Sequence, residues 1–276
     1  MSDTALEIVL RRDRTVVAAA LVALTLLAWV YVLWLAATMD MGAPGASAMP
    51  GMDMANMPAA LTPAMKPWSL ADFGFTFAMW TVMMVGMMTP SATPMILLYT
   101  RVGRQATAQG KPFAAAGWFA CGYLAVWTAF ALIASAAQDL LTHAAPLTPM
   151  LKSSNGIFGG LVLIAAGAFQ WSRMKDRCLA HCRGPLHFVQ HHGGFKGDPA
   201  GALELGMRHG LYCVGCCWAL MALLFVGGVM NLVWIAGLSA IVLVEKVAPG
   251  GRLLARGLGL VLMAAGLILV YQGTRT

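Results

Sequence analysis

The stretch that decides the fold runs from Gly206 to Lys246 and reads GMRHGLYCVGCCWALMALLFVGGVMNLVWIAGLSAIVLVEK. It holds two apolar runs parted at Asn231, and about 20 apolar residues in a helix cross the hydrocarbon of a bilayer. His209, Cys213, Cys216 and Cys217 are set into the first run. On a helix the first three fall within roughly 60° of one another, with Cys217 at the edge of that sector. One buried cysteine reads as a small hydrophobe. Three within five residues, one turn from a histidine, read as a stripe of soft metal donors inside a membrane helix.

The rest of the chain has the same character. Its 276 residues are 59% hydrophobic and 11% charged, with a mean hydropathy of +0.73, far from soluble globular composition. Seven segments are long or apolar enough to be predicted as spans: 16–37, 70–99, 113–137, 154–172, 207–230, 232–247 and 253–271. The sixth is short and set off from the fifth only by Asn231. The predicted fold is therefore all-α, a polytopic membrane helical bundle of about seven transmembrane helices. With the N-terminus inside and the C-terminus outside, 15 of the 18 Lys and Arg residues fall on the cytoplasmic side and only Lys66, Lys152 and Arg275 outside. The net charge of +7 is thus a positive-inside signal, and no nucleic-acid partner is implied. The first apolar segment lacks a clear small-x-small cleavage site and is longer than a secretory signal core, so it reads as a retained span. Segment 1–15 is then cytoplasmic, 16–37 the first transmembrane helix, 38–69 an external Met-rich flexible loop, and 70–273 a six-helix membrane metal-binding domain with a cytoplasmic Cys/His loop at 173–205.

Methionine is distributed unevenly. The outer loop reads MDMGAPGASAMPGMDMANMPAALTPAMKP from Met39 to Pro67 and has no helical or strand period. It carries Met39, Met41, Met52, Met54 and Met57 among its seven methionines, with the MDM triplet occurring twice. An exposed thioether gains nothing from water, but soft sulfur selects Cu(I). In the second span Met79, Met83 and Met87 repeat at i, i+4, i+8, and Met84 with Met88 form a second column about 100° around the helix. Methionine also fills gaps in ordinary cores, so packing competes with a thioether path. Pro90 and Pro94 are expected to break or kink this helix near its inner end. Gly156, Gly159 and Gly160 in the fourth span predict a close helix contact.

The inner loop reads RMKDRCLAHCRGPLHFVQHHGGFKGDPAGALEL from Arg173 to Leu205. Cys178 and Cys182 are four apart, His181 lies between them, and His187, His191 and His192 follow. One helical turn presents both thiols to one ion, while the reducing cytosol disfavours a structural disulfide. Glu245 and Lys246 at the inner boundary read equally as an interfacial anchor or as part of a site.

The segments MKDRCLAHCRGPL, GMRHGLYCVGCCWALMALLFVGGVMNLVWI and VEKVAPGG, with WTVMMVGMMTPSATPM upstream, resemble a bacterial family of unknown function described as predicted metal-binding integral membrane proteins. The resemblance covers roughly residues 68–273, with the cysteine-rich element as its most specific part; it implies a multi-pass protein of the bacterial inner (plasma) membrane that binds a metal. By ligand chemistry alone, outer methionines feeding a methionine ladder are similar to Ctr-type copper importers.

The expected function is soft-metal binding, with Cu(I) favoured and zinc as the alternative, in copper transport or handling. Loop methionines would capture the ion outside, and Met79, Met83, Met84, Met87 and Met88 would carry it across, with the direction of flow not set by the sequence. Cys178, His181, Cys182, His209, Cys213, Cys216 and Cys217 would hold it at the cytoplasmic face. A cytosolic copper chaperone or glutathione would then exchange with it, the bilayer being the other partner. No nucleotide-binding or aspartyl-phosphorylation sequence is present. Three rivals stand beside this expectation: a membrane thiol–disulfide oxidoreductase using the paired cysteines, a metallochaperone or assembly factor that loads a cuproenzyme without moving copper across the membrane, and a purely structural membrane scaffold whose thiols are packing. Against the enzyme, all the thiols except Cys121 fall at the cytoplasmic face, where oxidation is disfavoured, and the methionines are left unexplained.

Overall fold

The apolar runs fold into helices. The computed structural model describes residues 5–41, 69–111, 113–143 and 156–275, and no strand occurs among them. In chain order the helices are α1 (Ala5–Met41), α2 (Leu70–Ala108), α3 (Ala116–His143), α4 (Gly156–Phe169), α5 (Arg173–Arg183), α6 (Pro185–His191), α7 (Pro199–Ala222), α8 (Leu224–Gly227), α9 (Leu232–Val247) and α10 (Gly251–Gly273). Five segments are long and apolar enough to cross a membrane, and α4 with α5 makes a sixth if that pair, bent by 63°, is taken as one. The seven expected spans thus depend on α9 and on α4 by itself, 16 and 14 residues long, which rise about 24 and 21 Å against a hydrocarbon core of about 30 Å.

Two seams without side chains hold the bundle together. Where α3 and α7 run parallel, a Cβ on Gly206 would collide with the Phe119 carbonyl and one on Gly122 with the Leu203 carbonyl. Where α4 and α10 run antiparallel, a Cβ on Gly160 would stand 2.7 Å from the Gly266 oxygen and one on Gly167 2.7 Å from the Gly259 oxygen. Close backbone approach through small residues is how membrane helices gain packing without a hydrophobic driving force. The contact expected at Gly160 is therefore present.

Helix α2 is the centre of the bundle, packed by α1, α3 and α9. That position buries both of its methionine columns, so Met79, Met83, Met84, Met87 and Met88 all lie in the core. The expected break at Pro90 and Pro94 does not occur, and α2 is helical through to Ala108. Pro90 and Pro94 leave the carbonyls of Gly86 and Pro90 without an i+4 amide, and hydroxyl groups donate to the carbonyls that lie between: Ser239 to Met87 O at 3.3 Å, Tyr123 to Met88 O at 3.1 Å and Thr93 to Thr89 O at 3.0 Å.

The segment expected as a loop over 173–205 is instead α5, α6 and the first two turns of α7. Ser172 caps α5 by accepting from Lys175 N, and Asp198 caps α7 by accepting from Gly201 N, with Pro199 at the first helical position. α1 also reaches past its apolar stretch, from Ala5 to Met41. The short separator at Asn231 is a real boundary. Gly228 takes φ +99°, Asn231 caps α9 by accepting from Trp234 N, and the Trp234 indole donates to Leu223 O at 2.7 Å.

Candidate metal centre

Five helices bring their polar groups to one place at the end of the bundle where α5 lies. α7 supplies Cys213, Cys216 and Cys217, all buried. Cys216 and Cys217 sit one turn beyond Cys213, and their thiols donate to its carbonyl at 3.1 and 2.9 Å. The sulfur of Cys213 has partners on two further helices. It accepts from the Lys246 ammonium at 2.9 Å and lies 3.1 Å from the Tyr123 hydroxyl. Lys246 also donates to Ser91 Oγ at 3.0 Å, so α2, α3, α7 and α9 converge here.

α5 adds the second pair of thiols. Cys182 Sγ lies 4.0 Å from Cys216 Sγ. Cys178 sits against α7 at Gly215, where a Cβ would stand 2.8 Å from its sulfur. Burial, and then the neighbouring Cys216, push the Cys178 thiol above its usual range. α5 is held in place by a buried ion pair between Lys175 Nζ and Glu245 Oε2 at 2.7 Å, with 1% and 2% of the two side chains exposed. At its C-terminal end Arg183 donates to Ala248 O and Pro249 O at 2.6 and 2.9 Å. Glu245 and Lys246 are adjacent in sequence and so point about 100° apart on α9. One holds α5 and the other serves Cys213. A buried ammonium is costly without a counter-charge, and the sulfur of Cys213 is the nearest group able to supply one to Lys246.

The sequence-predicted ligands divide into three sets. Cys182, Cys213, Cys216 and Cys217 meet, with Cys178 beside them. The His209 ring sits among Phe119, Tyr123 and Phe188 at 5.8, 5.8 and 5.1 Å, and its Nδ1 is buried without a hydrogen-bond partner. His181 turns away from the thiols and stacks on Tyr212 at 4.3 Å. Of the ladder, Met88 comes nearest the centre, since its carbonyl accepts from the same Tyr123 hydroxyl that touches Cys213. Met39 and Met41 close α1, but their side chains, and the whole of Met52, Met54 and Met57, lie outside the described residues. Among the described residues no three His, Cys, Asp or Glu side chains are grouped so as to hold one ion.

Ser91, Tyr123 and Lys175 were not among the predicted site residues. Tyr123 reads as one more aromatic in an apolar run. Lys175 reads as a positive-inside charge, since nothing local tells a snorkelling lysine from one that turns inward to a carboxylate 70 residues away.

The arrangement suits a soft ion. Two thiols from different helices, 4.0 Å apart, are spaced for shared ligation at metal–sulfur bonds of about 2.3 Å, and soft thiolates select Cu(I). No curated protein and no solved structure matches the chain. A family model, PpoB2, described as copper chaperone, matches residues 77–269, which takes in α5 and the cysteine-bearing α7. That span is more than half of the 276 residues, and the chain belongs to this copper chaperone family.

Proposed function

We propose that this protein is a membrane-embedded copper chaperone that takes Cu(I) between Cys182 of α5 and Cys216 of α7 and hands it on through Cys213. The 4.0 Å contact between those two sulfurs carries the reading. Ligands on two separate helices let one be exchanged while the other still holds the ion. Lys246 keeps a cation beside the sulfur of Cys213, the receiving ligand, and a metal-binding cysteine must lose its proton. An incoming thiol, from glutathione or from a partner protein, would displace one sulfur at a time.

In this reading the thiols lie at the cytoplasmic face of a bacterial inner membrane, with seven spans and the C-terminus outside, as the charge distribution favours. The experiment is Cu(I) titration of the purified full-length protein against a competing chelator. Wild type should bind about one equivalent. Cys182→Ser with Cys216→Ser should weaken it by more than the roughly 10–100-fold typical of second-shell changes. Unchanged affinity in the double variant would sink the assignment.

A second reading, movement of copper across the membrane, is favoured by one observation. The Tyr123 hydroxyl bridges Met88 O and Cys213 Sγ at 3.1 Å each, so the inner end of the ladder abuts the thiols. In that reading Met79, Met83, Met84, Met87 and Met88 deliver the ion, Met39, Met41, Met52, Met54 and Met57 capture it outside, and the ligand chemistry is that of Ctr-type importers.

A further inference from the structure

Four histidines left out of the thiol centre gather on its flank. His181 closes α5, His187 and His191 lie one turn apart on α6, and His192 caps that helix. Ring centroids are 5.3 Å from His181 to His187, 5.3 Å from His181 to His191 and 6.3 Å between His187 and His191. Three imidazoles bound to one ion at about 2.0–2.1 Å place their centroids about 3.2 Å from it and so roughly 5.2 Å apart in a tetrahedral site. The observed triangle is close to that size.

The hydrogen bonds prepare these rings for ligation. His181 Nδ1 lies 2.9 Å from Arg177 O and His192 Nδ1 lies 2.8 Å from Phe188 O. A carbonyl only accepts, so Nδ1 carries the proton in both rings and the lone pair is left on Nε2. Binding one ring N–H to a backbone carbonyl is the usual way a protein fixes the tautomer and orientation of a ligating histidine. His181 Nε2 is buried and has no hydrogen-bond partner. An unpartnered buried acceptor next to two exposed rings is what a metal would satisfy. His187 and His191 supply the i, i+4 pair that binds metal on one helix face. The Nε2 atoms are not yet gathered on one centre, and because His187 and His191 are exposed their rings are free to turn inward.

We infer that His181, His187 and His191 form a second metal site, built of imidazole alone and taking a divalent transition ion of the class imidazole prefers. It is separate from the Cu(I) thiol centre and does not depend on that reading. The test uses the full-length protein with Co(II) as a spectroscopic probe and Zn(II) as competitor. Co(II) held by imidazole gives d–d bands without sulfur-to-metal charge transfer. The expected result is such a spectrum at one equivalent, erased by Zn(II), with the Cu(I) affinity of the same preparation unaltered when His187→Ala and His191→Ala are combined and the Co(II) bands are lost. Should that pair fail to fold, His191→Gln alone must weaken Co(II) at least tenfold. A Co(II) spectrum dominated by sulfur charge transfer, or one indifferent to these substitutions, would overturn the proposal.

Discussion

The α4–α10 and α3–α7 seams are built by the same device and do different things. In both, glycines let backbones touch where a single methyl group would collide. On the outer side of the α4–α10 contact, exposed apolar side chains such as Leu260, Leu267 and Ile268 face outward. The α3–α7 contact brings Tyr123 to Cys213 and His209 instead. Close approach is thus a general means of packing in lipid. It becomes chemistry where one partner helix carries donors on the seam's edge and a third, here α9, delivers a charge to them.

The largest effect should come from the ion pair that fastens α5 to the polar side of this comparison. Glu245→Gln leaves Lys175 as a buried ammonium without its counter-charge, and breaking such a pair costs about 3–5 kcal/mol. Thermal unfolding in detergent should shift accordingly, and Cu(I) binding should fall because Cys178 and Cys182 ride on α5. A variant as stable as wild type would mean that α5 is held by its apolar face alone.

Next come the glycines. Overpacking costs about 1–3 kcal/mol, and a backbone carbonyl cannot turn aside as a side chain can. Gly206→Ala should lie at or above the upper end and also weaken Cu(I) binding, because α7 must shift against α3. Gly160→Ala, opposite Gly266 O at 2.7 Å, should lower stability within the same range and leave Cu(I) affinity unchanged. Equal losses of affinity in both variants would erase the distinction between the seams.

The smallest stability change is expected in the ladder. Leu for Met conserves volume and usually costs less than about 1.5 kcal/mol, so Met79→Leu, Met83→Leu and Met87→Leu together should express and fold. Loss of protein-dependent copper accumulation or tolerance in cells, with Cu(I) still bound in detergent, would favour the route across the membrane. Unchanged copper handling at every external concentration would make these methionines packing and leave the chaperone reading alone.

Much of the centre was legible in the chain. Cys213, Cys216 and Cys217 could be placed on one helix sector because helical period is local, and Cys178 with Cys182 could be paired for the same reason. The meeting of the two sets could not, since 34 residues separate Cys182 from Cys216 and periodicity says nothing about which helix a face meets. His209 and His181 were expected beside the sulfurs on the same local ground. Adjacency in sequence put them near the thiols, but the turn of the helix aimed one into an aromatic cage and the other onto Tyr212.

By itself, then, the sequence determined the helical class, the apolar character of the long helices and the donor types on α5 and α7, because composition and a 3.6-residue period are properties of one segment at a time. The seam glycines at Gly156 and Gly160 belong to that set, and the exact start of α9 at Leu232 does too. The tertiary structure alone decided that α2 stays unbroken past two prolines, that both methionine columns are buried, and that a lysine and a glutamate next to each other on α9 serve different partners. Each of these depends on which group stands opposite across a helix contact, and that is fixed only when every helix has found its neighbours.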